Sequence, residues 1–182
     1  AVRHDFEPGL LAMQMESAPD DIPEEDPAEG QNSQLAWAYS AYAENVWKWS
    51  DELELNAGLH LAAFQVKGQT YFLPQPRLLA SWQWRPDWQT RGYVSKMAQF
   101  AHLLYNTSTG LPTEMWVPST DEVRPQEAWQ AGIATSWSGI EGWSFTAELY
   151  GKQMDHLLSY LEGATQLDNW QTSVTSGEGT AY

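Results

Sequence analysis

Apolar positions in QLAWAYSAYAENVWKWSDEL, residues 34–53, recur at intervals of three and four. Leu35, Tyr39, Tyr42, Val46 and Trp49 fall near one stripe, and Trp37 and Trp47 widen it. Asn32 or Ser33 stands where a short side-chain oxygen accepts from the free amides of a first turn, so the pattern predicts a helix. The same period in YVSKMAQFAHLLYN predicts a second helix from about Tyr93, with Val94, Met97, Phe100, Ala101 and Leu104 on one side. NTSTGLP, residues 106–112, ends it. Pro125 suits the first turn of a third helix reaching about Ser136, and SGIEG at 138–142 breaks it. A fourth is expected over roughly Trp143–Glu162, marked by Phe145, Leu149, Met154, Leu157, Leu158 and Leu161, with Glu148 and Lys152 as an i,i+4 pair.

Strand character is concentrated in one place. Leu59–Val66 and Gln69–Leu73 flank Lys67-Gly68, a two-residue link whose glycine accepts the positive φ of a tight hairpin. Pro74 and Pro76 are expected to close that hairpin, because proline donates nothing to a ladder. A third short strand is expected within Leu78–Trp84. The fold class that follows is α+β and predominantly helical. It has about four helices, a small antiparallel hairpin or three-stranded sheet, an extended N-terminal arm and a C-terminal tail.

Composition changes the picture mainly at the ends. The chain of 182 residues has a formal charge of −15, and residues 1–30 hold nine acids against Arg3 alone, a net −8. Prolines at 19, 23 and 27 keep ESAPDDIPEEDPAEG, residues 16–30, from forming a helix. The expected organisation is an acidic, Pro-rich arm at 1–33, one globular domain at 34–163 and a polar, Ser/Thr/Gly-rich tail at 164–182. The 11 Trp mark an aromatic-rich core, and the absence of Cys excludes disulfides and thiolate chemistry. No apolar run approaches the ~18–20 residues of a membrane-crossing helix, which predicts a soluble chain. Without a basic patch, direct nucleic-acid binding is disfavoured.

Chemistry-bearing motifs are sparse. His4, His60, His102 and His156 form no H-x3-H or H-E-x-x-H spacing, no acid-rich calcium loop is present, and neither phosphate-cradling glycine pattern occurs. No catalytic residue, metal ligand or cofactor is therefore expected. Two aromatic patches stand out: SWQWRPDWQ at 81–89, with Trp82, Trp84, Asp87 and Trp88, and WSGIEGW at 137–143, with Trp137, Glu141 and Trp143. Indole faces stack on sugars, and carboxylates such as Asp87 and Glu141 across a cleft are what glycoside hydrolysis uses. The same residues also suit a core or a subunit interface.

The leading expectation is a non-enzymatic structural subunit of a large assembly. Ordering an arm and tail of such composition costs roughly 1–2 kcal/mol per residue in backbone entropy. Contacts with neighbouring subunits would supply the compensation, by class-level analogy with virion proteins of tailed phages. Contact residues on this reading are Phe6, Leu10, Leu11, Asp20, Asp21, Glu24, Glu25 and Asp26 together with the two Trp patches. Its partners would be protein subunits with basic surfaces, with no membrane, in an oligomeric virion. The alternatives are a secreted or periplasmic carbohydrate-binding or glycoside-acting domain, and an acidic immunity or inhibitor protein.

Overall fold

A computed structural model describes residues 4–17, 34–106, 113–161 and 170–182. Eight long strands form one antiparallel sheet: β1 (His4–Ser17), β2 (Gln34–Lys48), β3 (Leu53–Val66), β4 (Gln69–Arg85), β5 (Trp88–Gln99), β8 (Gln126–Ile140), β9 (Trp143–Tyr160) and β10 (Val174–Ala181). They lie side by side in that order. Between β5 and β8 the chain makes a separate two-stranded hairpin, β6 (Ala101–Asn106) and β7 (Thr113–Pro118). Helical structure among the described residues is a single 3-10 turn at Trp170–Ser173.

The expectation of a predominantly helical α+β fold is thus overturned. Segments read as helices at 34–53, from Tyr93, from Pro125 and at 143–162 are β2, β5 with β6, β8 and β9. The register shows why. In β2 the odd positions from Trp37 to Trp47 share one face, while Ala36, Ala38, Ser40, Tyr42, Glu44 and Val46 share the other. Tyr42 and Val46 put apolar residues on the second face too, and this blurs a period of two into one near 3.6. The Lys67-Gly68 hairpin does form, with φ of 46° and 81° at its two link residues, the pair of positive values that this turn type demands.

Pro74 and Pro76 do not end their strand. β4 pairs with β3 from Gln69 to Trp82, but its ladder with β5 begins only at Arg77 opposite Ser95. The prolines therefore sit where β4 has no second ladder, as a group without an N–H requires. In that gap the Gln75 side chain accepts from the Ala98 amide at 3.1 Å. The expected third strand at 78–84 is the continuation of β4.

The ends are ordered from within the chain. His4–Ser17, expected in an arm, pairs residue by residue with β2, and Val174–Ala181, expected in a tail, pairs with β9. For these two described segments, sheet hydrogen bonds supply what neighbouring subunits were invoked to supply.

The connections differ between the two ends of the sheet. At one end β2–β3, β4–β5 and β8–β9 are joined by residues 49–52, 86–87 and 141–142. At the other, β1–β2 spans 18–33, β5–β8 spans 100–125 and β9–β10 spans 161–173, alongside the two-residue β3–β4 link. Ser50 builds one short turn, its hydroxyl accepting from the amides of Glu52 at 3.2 Å and Leu53 at 3.1 Å.

The buried core lies at the end with the long connections. Phe64, Val66, Ala36 and Ala38 cluster on one face of β2 and β3, and Phe100 stacks on Phe64 at 4.7 Å between ring centroids. The 100–125 excursion folds against this face. Tyr71 donates to the Thr120 carbonyl at 2.6 Å, and Ser119 donates to the Phe100 carbonyl at 2.8 Å. Leu104, Val117 and Val123 complete the buried set with His102, whose Nε2 lies 2.9 Å from the Ser119 hydroxyl. β6 approaches β9 while β7 approaches β1, far apart in strand order, so the sheet curls around the hairpin.

Candidate functional site

The ladder registers sort β2, β3, β4, β5, β8 and β9 into two shared faces. One carries Tyr39, Ala41 and Ala43 of β2, Leu55 to Ala63 of β3 at alternate positions, Pro74, Pro76, Leu78 and Ala80 of β4, Val94 of β5, Ala131 and Ile133 of β8, and Ala147 and Leu149 of β9. Many of these are exposed, Leu149 at 76% and Ile133 at 53%. A water-soluble domain rarely leaves so wide an apolar face uncovered. Asn45 interrupts the band, with its Oδ1 buried and unpartnered.

Indoles and aromatic rings border this band at two levels. Near the short turns lie Trp47, Trp82, Trp84, Trp88, Trp137, Trp143 and Phe145. Trp82 stacks on Trp84 at 4.3 Å, Trp88 meets Trp137 at 6.5 Å, and Phe145 lies 6.0 Å from both Trp137 and Trp143. Three of the indole N–H groups have acceptors: Trp84 and Trp88 donate to Thr90 and Thr135 at 2.9 and 2.8 Å, and Trp137 donates to Asp87 at 3.0 Å. Near the long connections lie Trp37, Phe72 and Trp129. Trp37 and Trp47 are ten residues apart, as are Phe72 and Trp82. At about 3.3 Å per residue and a strand tilt of about 40°, ten residues rise roughly 25 Å, the height of the apolar band on a membrane β-barrel.

The opposite face, beyond the buried cluster of Ala36, Ala38, Phe64 and Val66 near the long connections, carries a row of polar groups. Glu44 accepts from Asn56 at 2.6 Å and pairs with Arg77, which lies across Gly58 where a Cβ would meet its Nε at 2.6 Å. Tyr93 donates to Glu148 at 3.1 Å and accepts from Gln130 at 3.1 Å. Arg91 donates twice to Gln89, at 3.0 and 2.7 Å. The Glu44 and Tyr93 groups bond across neighbouring strands and Arg91 bonds along β5, the arrangement of a wetted interior wall. No helix among the described residues is long and apolar enough to cross a membrane, but a barrel crosses with strands.

Residues 10–182 match the family described as TonB dependent receptor-like, beta-barrel. The chain belongs to that family. No curated protein and no solved structure matches it. The family consists of outer-membrane transporters rather than enzymes. Membership overturns the expectation of a phage virion subunit, and with it the virion location, the assembly partners and the exclusion of a membrane. The periplasmic or extracellular alternative fits no better. The soluble reading failed because a rule about long apolar runs detects helices and is blind to strands that show lipid only every second residue.

The expected contact residues separate into groups. Trp82, Trp84, Trp88, Trp137 and Trp143 are brought together near the short turns. Asp87 lies among them as an indole acceptor, and Glu141 is exposed in the 141–142 turn. Phe6, Leu10 and Leu11 lie in β1 opposite Asn45, Ala41 and Ser40. Asp20, Asp21, Glu24, Glu25 and Asp26 fall outside the described residues. Sequence reasoning missed Phe72, Trp129 and the polar residues Glu44, Arg77, Tyr93 and Glu148. The signal available was parity: aromatic residues eight or ten positions apart, with small or aliphatic residues at the even steps between them.

Proposed function

We propose that this chain forms part of the wall of an outer-membrane receptor that moves a ligand inward through its barrel. The apolar face, bounded by its two aromatic levels, contacts lipid. The Glu44–Arg77 and Tyr93–Glu148 face lines the interior. Short turns face the periplasm and long connections face outward, the usual asymmetry of such barrels. The Trp patches act at the membrane boundary, where an indole with one apolar face and one donor is favoured. β1 and β10 are not paired with each other in the sheet order, and their free edges suit pairing with further strands.

The observation that carries this reading is the separation of the two aromatic levels by about 25 Å of apolar surface. The natural chain has no Cys, so single-cysteine variants take one spin label each. Labels at Leu59 and Ile133 are expected to be relaxed by lipid-soluble oxygen, and labels at Ser95 and Glu148 by a water-soluble nickel chelate. Equal access of the chelate to all four positions would refute the assignment.

A further inference from the structure

At the rim with the long connections, β9 carries one residue more than β10. Met154 is opposite Gly179 and Leu157 is opposite Gly177, so Asp155 and His156 together face Glu178. His156 takes up the extra residue with a φ of 59°, a left-handed conformation uncommon outside glycine. Bulges of this kind re-aim a side chain and gather next to functional sites.

Here the re-aimed side chain borders a cavity of about 350 Å³. His156 Nδ1 is buried without a hydrogen-bond partner, and so is Nε2 of Gln171, which lines the same cavity. Two orphaned polar atoms on side chains that line one space are costly unless a partner reaches them. Arg124 and Glu122 stand in the wall as opposite charges, with no ion-pair partner among the described residues. Val123, Leu158 and Val174 supply apolar surface, and Thr175 and Ser176 supply hydroxyls.

We infer that this cavity binds an α-amino carboxylate zwitterion, with its carboxylate on Arg124 and the Gln171 amide, its ammonium toward Glu122, and an aliphatic side chain against Val123 and Leu158. A simple dianion such as phosphate is disfavoured, because Glu127, Asp155 and Glu178 line the adjoining space on the other side of His156. A simple cation would leave Arg124 unmatched. The zwitterion answers both charges and gives the Gln171 amide a partner. It rests on the receptor reading only for the side of the membrane the cavity faces, which deepens that reading by naming a ligand class.

Calorimetry on the receptor in neutral detergent, with L-leucine as probe, tests the binding itself. Leucine is expected to bind saturably, while N-acetyl-leucine, leucinamide and inorganic phosphate bind at least about tenfold more weakly, since each loses or mismatches one charge. Arg124→Ala and Glu122→Gln are exposed-loop changes and are each expected to weaken leucine by about tenfold or more. Gln171→Leu, which removes an orphaned donor, weakens it less. Leucyl-leucine binding tighter than leucine identifies a peptide end, and the reverse identifies a free amino acid. Leucinamide or phosphate binding as well as leucine, or an unaltered affinity in Arg124→Ala, would overturn the proposal. Neither result bears on spin-label access, so the two readings fail separately.

Discussion

Leu149 gives the sharpest energetic test of the membrane face. It lies on β9 opposite Ile133, four residues from Phe145 at one aromatic level and four from Gln153, which is opposite Trp129 at the other. Four residues at about 3.3 Å and a tilt of about 40° rise roughly 10 Å, so Leu149 sits close to the middle of the band. Leu149→Arg then places a cation at the bilayer midplane, at a cost of about 2–4 kcal/mol. Gln153→Arg, on the same face near the rim, costs about 0–1 kcal/mol. Glu148→Arg, one residue away on the inner face, loses the Tyr93 hydrogen bond in a wetted interior, about 1 kcal/mol.

Were this face in water, the same leucine at 76% exposure would be a surface position, and its replacement would shift stability by no more than about 0.5 kcal/mol. The two outcomes differ by a factor of more than about ten in the folding constant. Urea unfolding in phosphatidylcholine vesicles, followed by tryptophan fluorescence, reads this as a fall in midpoint at constant slope. If Leu149→Arg costs no more than Gln153→Arg, the depth argument is wrong.

Two further outcomes concern the excursion at 100–125. Phe64 is fully buried and stacked on Phe100, so Phe64→Ala is expected to cost about 3–5 kcal/mol and to lower amide protection at Ser119 and Thr120, measured by hydrogen exchange. His102 lies outside the main sheet, and burial pulls its imidazole down from 6.5 to about 4. The unfolded segment takes up a proton first, so the stability that His102 contributes is complete above pH 6.5 and falls as the pH drops toward 4. Protection factors at Val117 and Val123 are expected to decline over that window, and His102→Gln is expected to flatten the decline.

What could be read from the sequence depended on scale. The Lys67-Gly68 hairpin was legible because its turn chemistry is local: two residues with positive φ between runs that alternate. The Trp patches were legible as clusters because Trp82, Trp84 and Trp88 are close in sequence, and Trp137 and Trp143 likewise. Their common level on one face was not, since it arises from pairing Trp88 with Trp137 across the whole excursion.

The helical misreading has a physical origin in the barrel's own requirements. A wetted interior tolerates Ala, Ser, Gln, Glu and Tyr, and a lipid face tolerates Ala and Leu, so both faces draw on residues with good helix propensity. In β9, the pair Glu148 and Lys152 looks like a helical ion pair, yet each bonds into a different cross-strand row, with Glu148 opposite Ala134 and Lys152 opposite Gln130. What selects strand over helix there is reversal: residues 86–87 and 141–142 leave room only for tight turns, and a tight turn between two long apolar segments puts them side by side. Once one antiparallel pair forms, its free edge recruits the next. Chain length between reversals, more than residue type within segments, carries the fold.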